Sequence, residues 1–198
     1  MPLNLLPLPD AEVLLDSHFL PLSVAAALMQ ELINTIPWRQ EPIKLFGKEI
    51  MQPRLTAWHG DPTAHYHYSG LSLKPQPWTP ALQGLRQQVS AAIGAEFNSV
   101  LLNLYRTGQD SMGWHADNEP ELGPNPVIAS VSLGATRRFR LRPSTGTAPY
   151  APVGIDLPPG SLLVMRGPTQ AHWHHALPKT SRTVGARLNL TFRQIISD

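Results

Sequence analysis

From Gly94 onward the apolar residues recur at every second position, and no helical pattern interrupts them. Period two is the repeat of an extended strand with one face turned inward. The clearest runs are residues 100–105, 127–133, 137–142, 161–165 and 187–193, separated by turn-rich intervals at 120–126 and 143–154. Parallel strands need long crossover connections, usually helical, so a parallel βαβ sheet is not expected here. The 21 prolines and 14 glycines are scattered rather than clustered, which suits many short strands and turns. The pattern is that of an α+β chain, mainly β, built as a jelly roll or a related barrel.

Two helices are predicted ahead of these strands. Ser23 can cap a run with Leu28, Leu32 and Ile36 on one face, ended by Pro37. Thr79 caps a second, with Pro80 at its first position, the stripe Leu82, Leu85, Val89 and Ile93, and Gly94 as its stop. Both read as packing helices that cover a sheet, and residues 42–78 between them as short strands and loops. At 198 residues, 42% hydrophobic and 15% charged, the chain suits one globular domain rather than a disordered segment. The first ten residues hold no Lys or Arg and are broken by Pro2, Pro7 and Pro9, unlike a signal peptide. No apolar run reaches membrane-spanning length. A cytoplasmic location without membrane contact is therefore expected, and a monomer is taken as the default state. The net charge of +2 permits a nucleic-acid partner without requiring one.

The chemistry lies in the histidines. With no cysteine present, any metal must be held by imidazole and carboxylate. His115 and Asp117 stand two apart, and on a strand such positions share a face. His172, His174 and His175 are the candidates for a third ligand. Two imidazoles and one carboxylate leave three coordination positions open, the arrangement of non-haem iron(II) oxygenases. A lone His-x-Asp triplet equally suits a solvated turn, so its weight depends on its company.

That company is the run 187–193. Leu188, Leu190 and Phe192 face one side of it; Arg187, Asn189, Thr191 and Arg193 face the other. A solvated polar face would explain a lone strand. Two guanidinium groups beside an amide, with few acids nearby, also make a carboxylate receptor, because Arg binds carboxylates bidentately as Lys does not. Asn103 and Tyr105 share a face of residues 100–105 and add neutral donors. A dicarboxylate that also chelates iron would use all five.

The runs Asn103-Leu-Tyr105, Gly113-Trp-His-Ala-Asp-Asn-Glu119, His172-Trp-His-His-Ala-Leu-Pro178 and Arg187-Leu-Asn-Leu-Thr-Phe-Arg193 together resemble the AlkB dealkylating dioxygenases. The resemblance covers roughly residues 40–195 and is strongest to the homologues that repair duplex DNA. It implies a double-stranded β-helix (jelly-roll) core with N-terminal helices and a nucleotide-recognition lid. On that pattern residues 1–198 form one domain, with about 1–95 as helical support and lid and about 96–195 as catalytic core. The resemblance selects His175 as the third ligand of Fe(II), beside His115 and Asp117. It gives Asn103, Tyr105, Arg187, Asn189 and Arg193 to 2-oxoglutarate, with Arg187 on the distal carboxylate and Arg193 nearer the chelating end.

The implied reaction consumes O2 and 2-oxoglutarate, forms succinate and CO2, and hydroxylates an N-linked methyl group that leaves as formaldehyde. Alkylated DNA is the partner implied, with RNA as the alternative, and the base must leave its stack to reach the metal. Tyr66 and Tyr68 match the family's base pocket, Asn118 and Glu119 follow the metal Asp and can contact the base, and Phe46-Gly47-Lys48 matches a loop that wedges into the duplex. The family often has an acid where Asn118 stands. Arg137, Arg138, Arg140 and Arg142 form a basic stretch, the last three on one strand face, suited to phosphates. Two other readings compete: the same chemistry on RNA or a protein side chain, and a non-catalytic, cupin-like metal-binding module.

Overall fold

The computed structural model describes residues 3–45, 48–64, 66–68, 71–146 and 149–196. In chain order these form β1 (Asn4–Leu5), β2 (Glu12–Asp16), α1 (Leu22–Thr35), β3 (Pro42–Leu45), β4 (Lys48–Met51), β5 (Leu55–Gly60), β6 (Tyr66–Tyr68) and β7 (Leu71–Leu73). Helix α2 (Pro80–Ile93) follows, then β8 (Ser99–Tyr105), β9 (Met112–His115), β10 (Ile128–Gly134), β11 (Arg137–Pro143) and β12 (Val153–Leu157). The chain closes with β13 (Ser161–Arg166), the short α3 (Thr169–His172), β14 (Trp173–Leu177) and β15 (Arg187–Arg193).

Seven strands make the major sheet in the order β1-β2-β13-β10-β15-β8-β5, and four make the minor sheet, β12-β11-β14-β9. Neighbours in both sheets pair antiparallel. The two sheets form the expected jelly roll, while β3–β4 and β6–β7 make separate two-stranded sheets. The first 95 residues give more than helices, since β1, β2 and β5 flank the major sheet on both edges.

The period-two alternation sorts the major sheet into two faces. Leu188, Leu190 and Phe192 of β15, Val100, Leu102 and Leu104 of β8, and Ala129, Val131 and Leu133 of β10 pack with Leu32 of α1 and Leu82, Leu85 and Val89 of α2. This apolar layer holds the helices on the sheet. The opposite face turns toward the minor sheet; there Leu163 and Met165 meet Leu141, Ile155, Leu157 and Trp173. Beside that second core the same face carries polar residues, and these build the site.

Helix α2 follows its sequence signals: the Thr79 hydroxyl accepts the Leu82 N–H at 3.3 Å, and Gly94 ends the helix with φ +72°. Helix α1 does not. It starts at Leu22 behind Pro21, so Ser23 lies within the first turn and makes no cap. Pro21 already has the extended backbone of a capping position (φ −55°, ψ 144°), and the helix starts there without a side-chain acceptor.

Candidate active site

Strand pairing brings the metal candidates together. β14 lies between β11 and β9, with His175 opposite His115. Asp117 stands two residues beyond the end of β9, so the loop after the strand, rather than a continuous strand face, presents its carboxylate. One ligand atom each from His115, Asp117 and His175 lies within 4.8 Å of the others. Neither His172 nor His174 belongs to this group. Both are off the inner face: His172 is exposed and His174 half-exposed, whereas His175 is buried.

The surroundings prepare each atom for a cation. Arg193 donates from Nη2 to Asp117 Oδ1 at 2.7 Å, while Oδ2 lies 3.7 Å from His175 Nε2. One carboxylate oxygen is thus engaged and the other faces the imidazoles. Burial pushes the Asp117 carboxyl up, but Arg193 and the two imidazoles outweigh it and hold it down at about 2. Burial first, and then His115, push His175 down to about 3, which leaves a neutral ring with a lone pair to give. His115 Nδ1 donates to the Gly113 carbonyl at 2.9 Å, leaving Nε2 as the basic nitrogen. The Asp117 N–H is fixed by Gln170 Oε1 at 2.9 Å. The donor set suits a divalent metal such as iron(II).

Beside it, the polar face of the major sheet runs across three strands. β15 and β8 pair with Arg187 opposite Tyr105 and Asn189 opposite Asn103. All seven residues of β15 are buried, so its polar side is not a solvated face. Arg187 is 2% exposed; its Nη2 donates to Ser132 Oγ (2.8 Å) and Asn189 Oδ1 (2.9 Å), and its Nε has no hydrogen-bond partner. Among the described residues no carboxylate pairs with it. Burial lowers its pKa to about 10, which keeps it a cation at neutral pH. A buried, orphaned N–H on an uncompensated guanidinium fits an incoming carboxylate. Asn189 is mostly used up within the protein: its Oδ1 also accepts from Ser130, and its Nδ2 donates to Thr191 at 2.8 Å. It holds Arg187 in place.

A cleft of about 500 Å³, counting its open mouth, contains the metal group, Asn103, Tyr105 and Arg187. A wider one of about 1690 Å³, likewise counted, opens over His115 and Asp117 and is walled by Pro37, Trp58 and Trp114. The two clefts thus meet at His115 and Asp117.

Residues 12–193 match the 2OG-Fe(II) oxygenase superfamily. The chain is 41% identical over 195 residues to alpha-ketoglutarate-dependent dioxygenase alkB homolog 3 of Bos taurus, covering 95% of this chain and 68% of that protein. It is 45% identical over 159 residues to DNA oxidative demethylase ALKBH2 of Homo sapiens, covering 78% of this chain and 61% of that one. The chain belongs to the AlkB family. It is a dioxygenase that uses iron(II), 2-oxoglutarate and O2. The fold matches "The structure of OsALKBH1" at a TM-score of 0.68 and 18% identity, over 98% of this chain and 100% of that one. Among the described residues no helix is long and apolar enough to cross a membrane.

In this AlkB-family chain the residues expected to meet substrate are placed unevenly. Glu119 lines the wide cleft with a buried Oε2 that has no hydrogen-bond partner, while Asn118 is exposed. Phe46 and Gly47 lie outside the described residues, and so do the side chains of Lys48, Tyr66 and Tyr68, which fall in β4 and β6. Arg138, Arg140 and Arg142 are exposed on one face of β11; Arg138 pairs with Asp156 at 3.2 Å and Arg142 lies over Trp114 at 4.5 Å. Arg137 turns inward instead, donating to the carbonyls of Thr107, Asp110 and Pro178. Arg54 and Gln170 were not visible as site residues in the sequence, because each reaches the site through a contact about 50 residues away.

His174 tests the choice of ligand. It pairs across the sheet with Arg142, away from the metal group. His174→Ala is expected to change turnover by no more than roughly twofold, as for an ordinary surface substitution. Steady-state succinate formation checks this, and inactivity would place His174 among the ligands.

Proposed function

We propose that this dioxygenase repairs DNA by removing N-linked methyl groups from bases such as 1-methyladenine and 3-methylcytosine, releasing formaldehyde. The observation that carries the reading is Glu119. A buried carboxylate oxygen without a partner, on a half-buried residue in the wall of a wide cleft that opens onto the metal group, is an acceptor for the exocyclic amine of a base. The name of the human relative, DNA oxidative demethylase, points the same way.

In this reading His115, Asp117 and His175 hold the iron. Arg187 takes the distal carboxylate of 2-oxoglutarate, steadied by Asn189, while Asn103 and Tyr105 donate to the same molecule and Arg193 lies at its chelating end. Bound iron and cosubstrate supply the oxidising power that hydroxylates the methyl carbon; the hydroxymethyl adduct then loses formaldehyde. The chain's own work is to place that carbon. Tyr66, Tyr68, Asn118 and Glu119 hold the extruded base, and Phe46, Gly47 and Lys48 fill the gap it leaves in the stack. Arg138, Arg140 and Arg142 offer charge to the phosphates along the outer face of the minor sheet.

The test is to supply iron, 2-oxoglutarate and, in turn, methylated DNA, RNA and peptide to the protein. Formaldehyde is expected from DNA. Release from RNA alone, or from peptide alone, would overturn the DNA assignment while leaving the family chemistry intact. Rates on one lesion in single- and double-stranded DNA then test the wedge, since Phe46→Ala should slow duplex repair more than single-strand repair.

A further inference from the structure

We propose that Arg54 is a positioning residue for the cosubstrate, fixing the amide of Asn103 so that its N–H groups face 2-oxoglutarate. The proposal rests on the reading above that Asn103 donates to that molecule.

Arg54 lies just ahead of β5, where Thr56 pairs with Asn103. Positions 54 and 56 share a face on an extended chain, so Arg54 continues the polar inner face of the major sheet. It is 6% exposed, and its Nε donates to Asn103 Oδ1 at 2.8 Å. The two ends of a side-chain amide have opposite roles, and the hydrogen bond to its oxygen decides which way it points. With Oδ1 held by a guanidinium, Nδ2 is the end left to donate, which is what a carboxylate requires. Turned over, the amide would set its oxygen against the carboxylate and repel it.

The same segment touches the metal strand. The Ser111 N–H donates to the Pro53 carbonyl at 2.9 Å, one residue before β9, the strand that ends in His115. Arg54 also lines the wide cleft, and no carboxylate among the described residues pairs with it. Its guanidinium is therefore shared between the amide, at 2.8 Å, and the Ser111 carbonyl, which Nη1 reaches at 3.4 Å, rather than spent on a counter-ion.

The test uses the full chain loaded with Mn(II), which binds without turning over, and calorimetric titration with 2-oxoglutarate in the absence of nucleic acid. Arg54→Met keeps the apolar stem and removes the donors; Asn103→Ala removes the amide. Each single change is expected to weaken 2-oxoglutarate about tenfold, the scale of one hydrogen bond to a charged group. The double variant should bind no more weakly than Asn103→Ala alone, because Arg54 acts through that amide. Mn(II) affinity should match the parent chain throughout. Unchanged 2-oxoglutarate affinity in Arg54→Met, beside a loss in Asn103→Ala, would overturn the role of Arg54 and leave the cosubstrate site standing. Multiplied losses in the double variant, or weakened Mn(II) binding in Arg54→Met, would overturn it as well. No loss in Asn103→Ala would remove the underlying assignment and this proposal with it.

Discussion

Asp117→Asn is expected to abolish turnover by emptying the metal site. The substitution keeps the size of the side chain and an acceptor for Arg193 Nη2, now 2.7 Å from Oδ1. What it removes is the negative charge. His115 and His175 then have to hold a dication beside the Arg193 guanidinium, which the carboxylate normally offsets. Groups that merely orient a ligand cost about 10–100-fold in metal affinity when lost. Loss of the anionic ligand itself should exceed the upper end of that range. Anaerobic titration with iron(II) or Mn(II) measures the affinity directly, and near-parent affinity in Asp117→Asn would contradict the assignment.

Arg187→Met is expected to act with opposite signs on function and stability. The KM for 2-oxoglutarate should rise about a hundredfold or more, since truncating one partner of a buried charge pair costs about 2–5 kcal/mol or more. At saturating cosubstrate much of kcat should remain, because Arg187 is not one of the three residues of the candidate metal group. The ligand-free protein should melt no lower than the parent, and 2-oxoglutarate should cease to raise its melting temperature. The reason is the cost of a 2%-exposed guanidinium that no carboxylate among the described residues pairs with, and that the cosubstrate would pair in the proposed site. Thermal melts with and without 2-oxoglutarate check both halves. A melting temperature that still climbs with added 2-oxoglutarate would remove Arg187 from the site.

How far these residues could be read in advance depended on how local their signals are. Strand β15 was readable to the residue, because an unbroken apolar-polar alternation fixes both its limits and its two faces. Helix α2 was as plain, with its cap, proline and closing glycine in order. Strand β12 fell partly inside what reads as a turn-rich interval, since Pro152 and Gly154 mask an edge strand that exists through pairing with β11. Strand β2 was hidden among N-terminal prolines and is held by register with β13, about 150 residues away. The metal group was legible as composition and spacing; geometry added that Asp117 lies past the strand end and that His175, not His174, faces inward. Arg54 gave no local sign at all. Its place follows from β5 joining β8, a pairing that residue periodicity does not encode.

The most direct measurement is the joint yield of succinate and formaldehyde when the protein turns over single-stranded DNA carrying 1-methyladenine, with iron(II) and 2-oxoglutarate supplied. Coupled oxidation at one site requires the two products in equal amounts, and both should vanish in Asp117→Asn. Succinate formed without formaldehyde on this and every other methylated nucleic acid would contradict the demethylase reading.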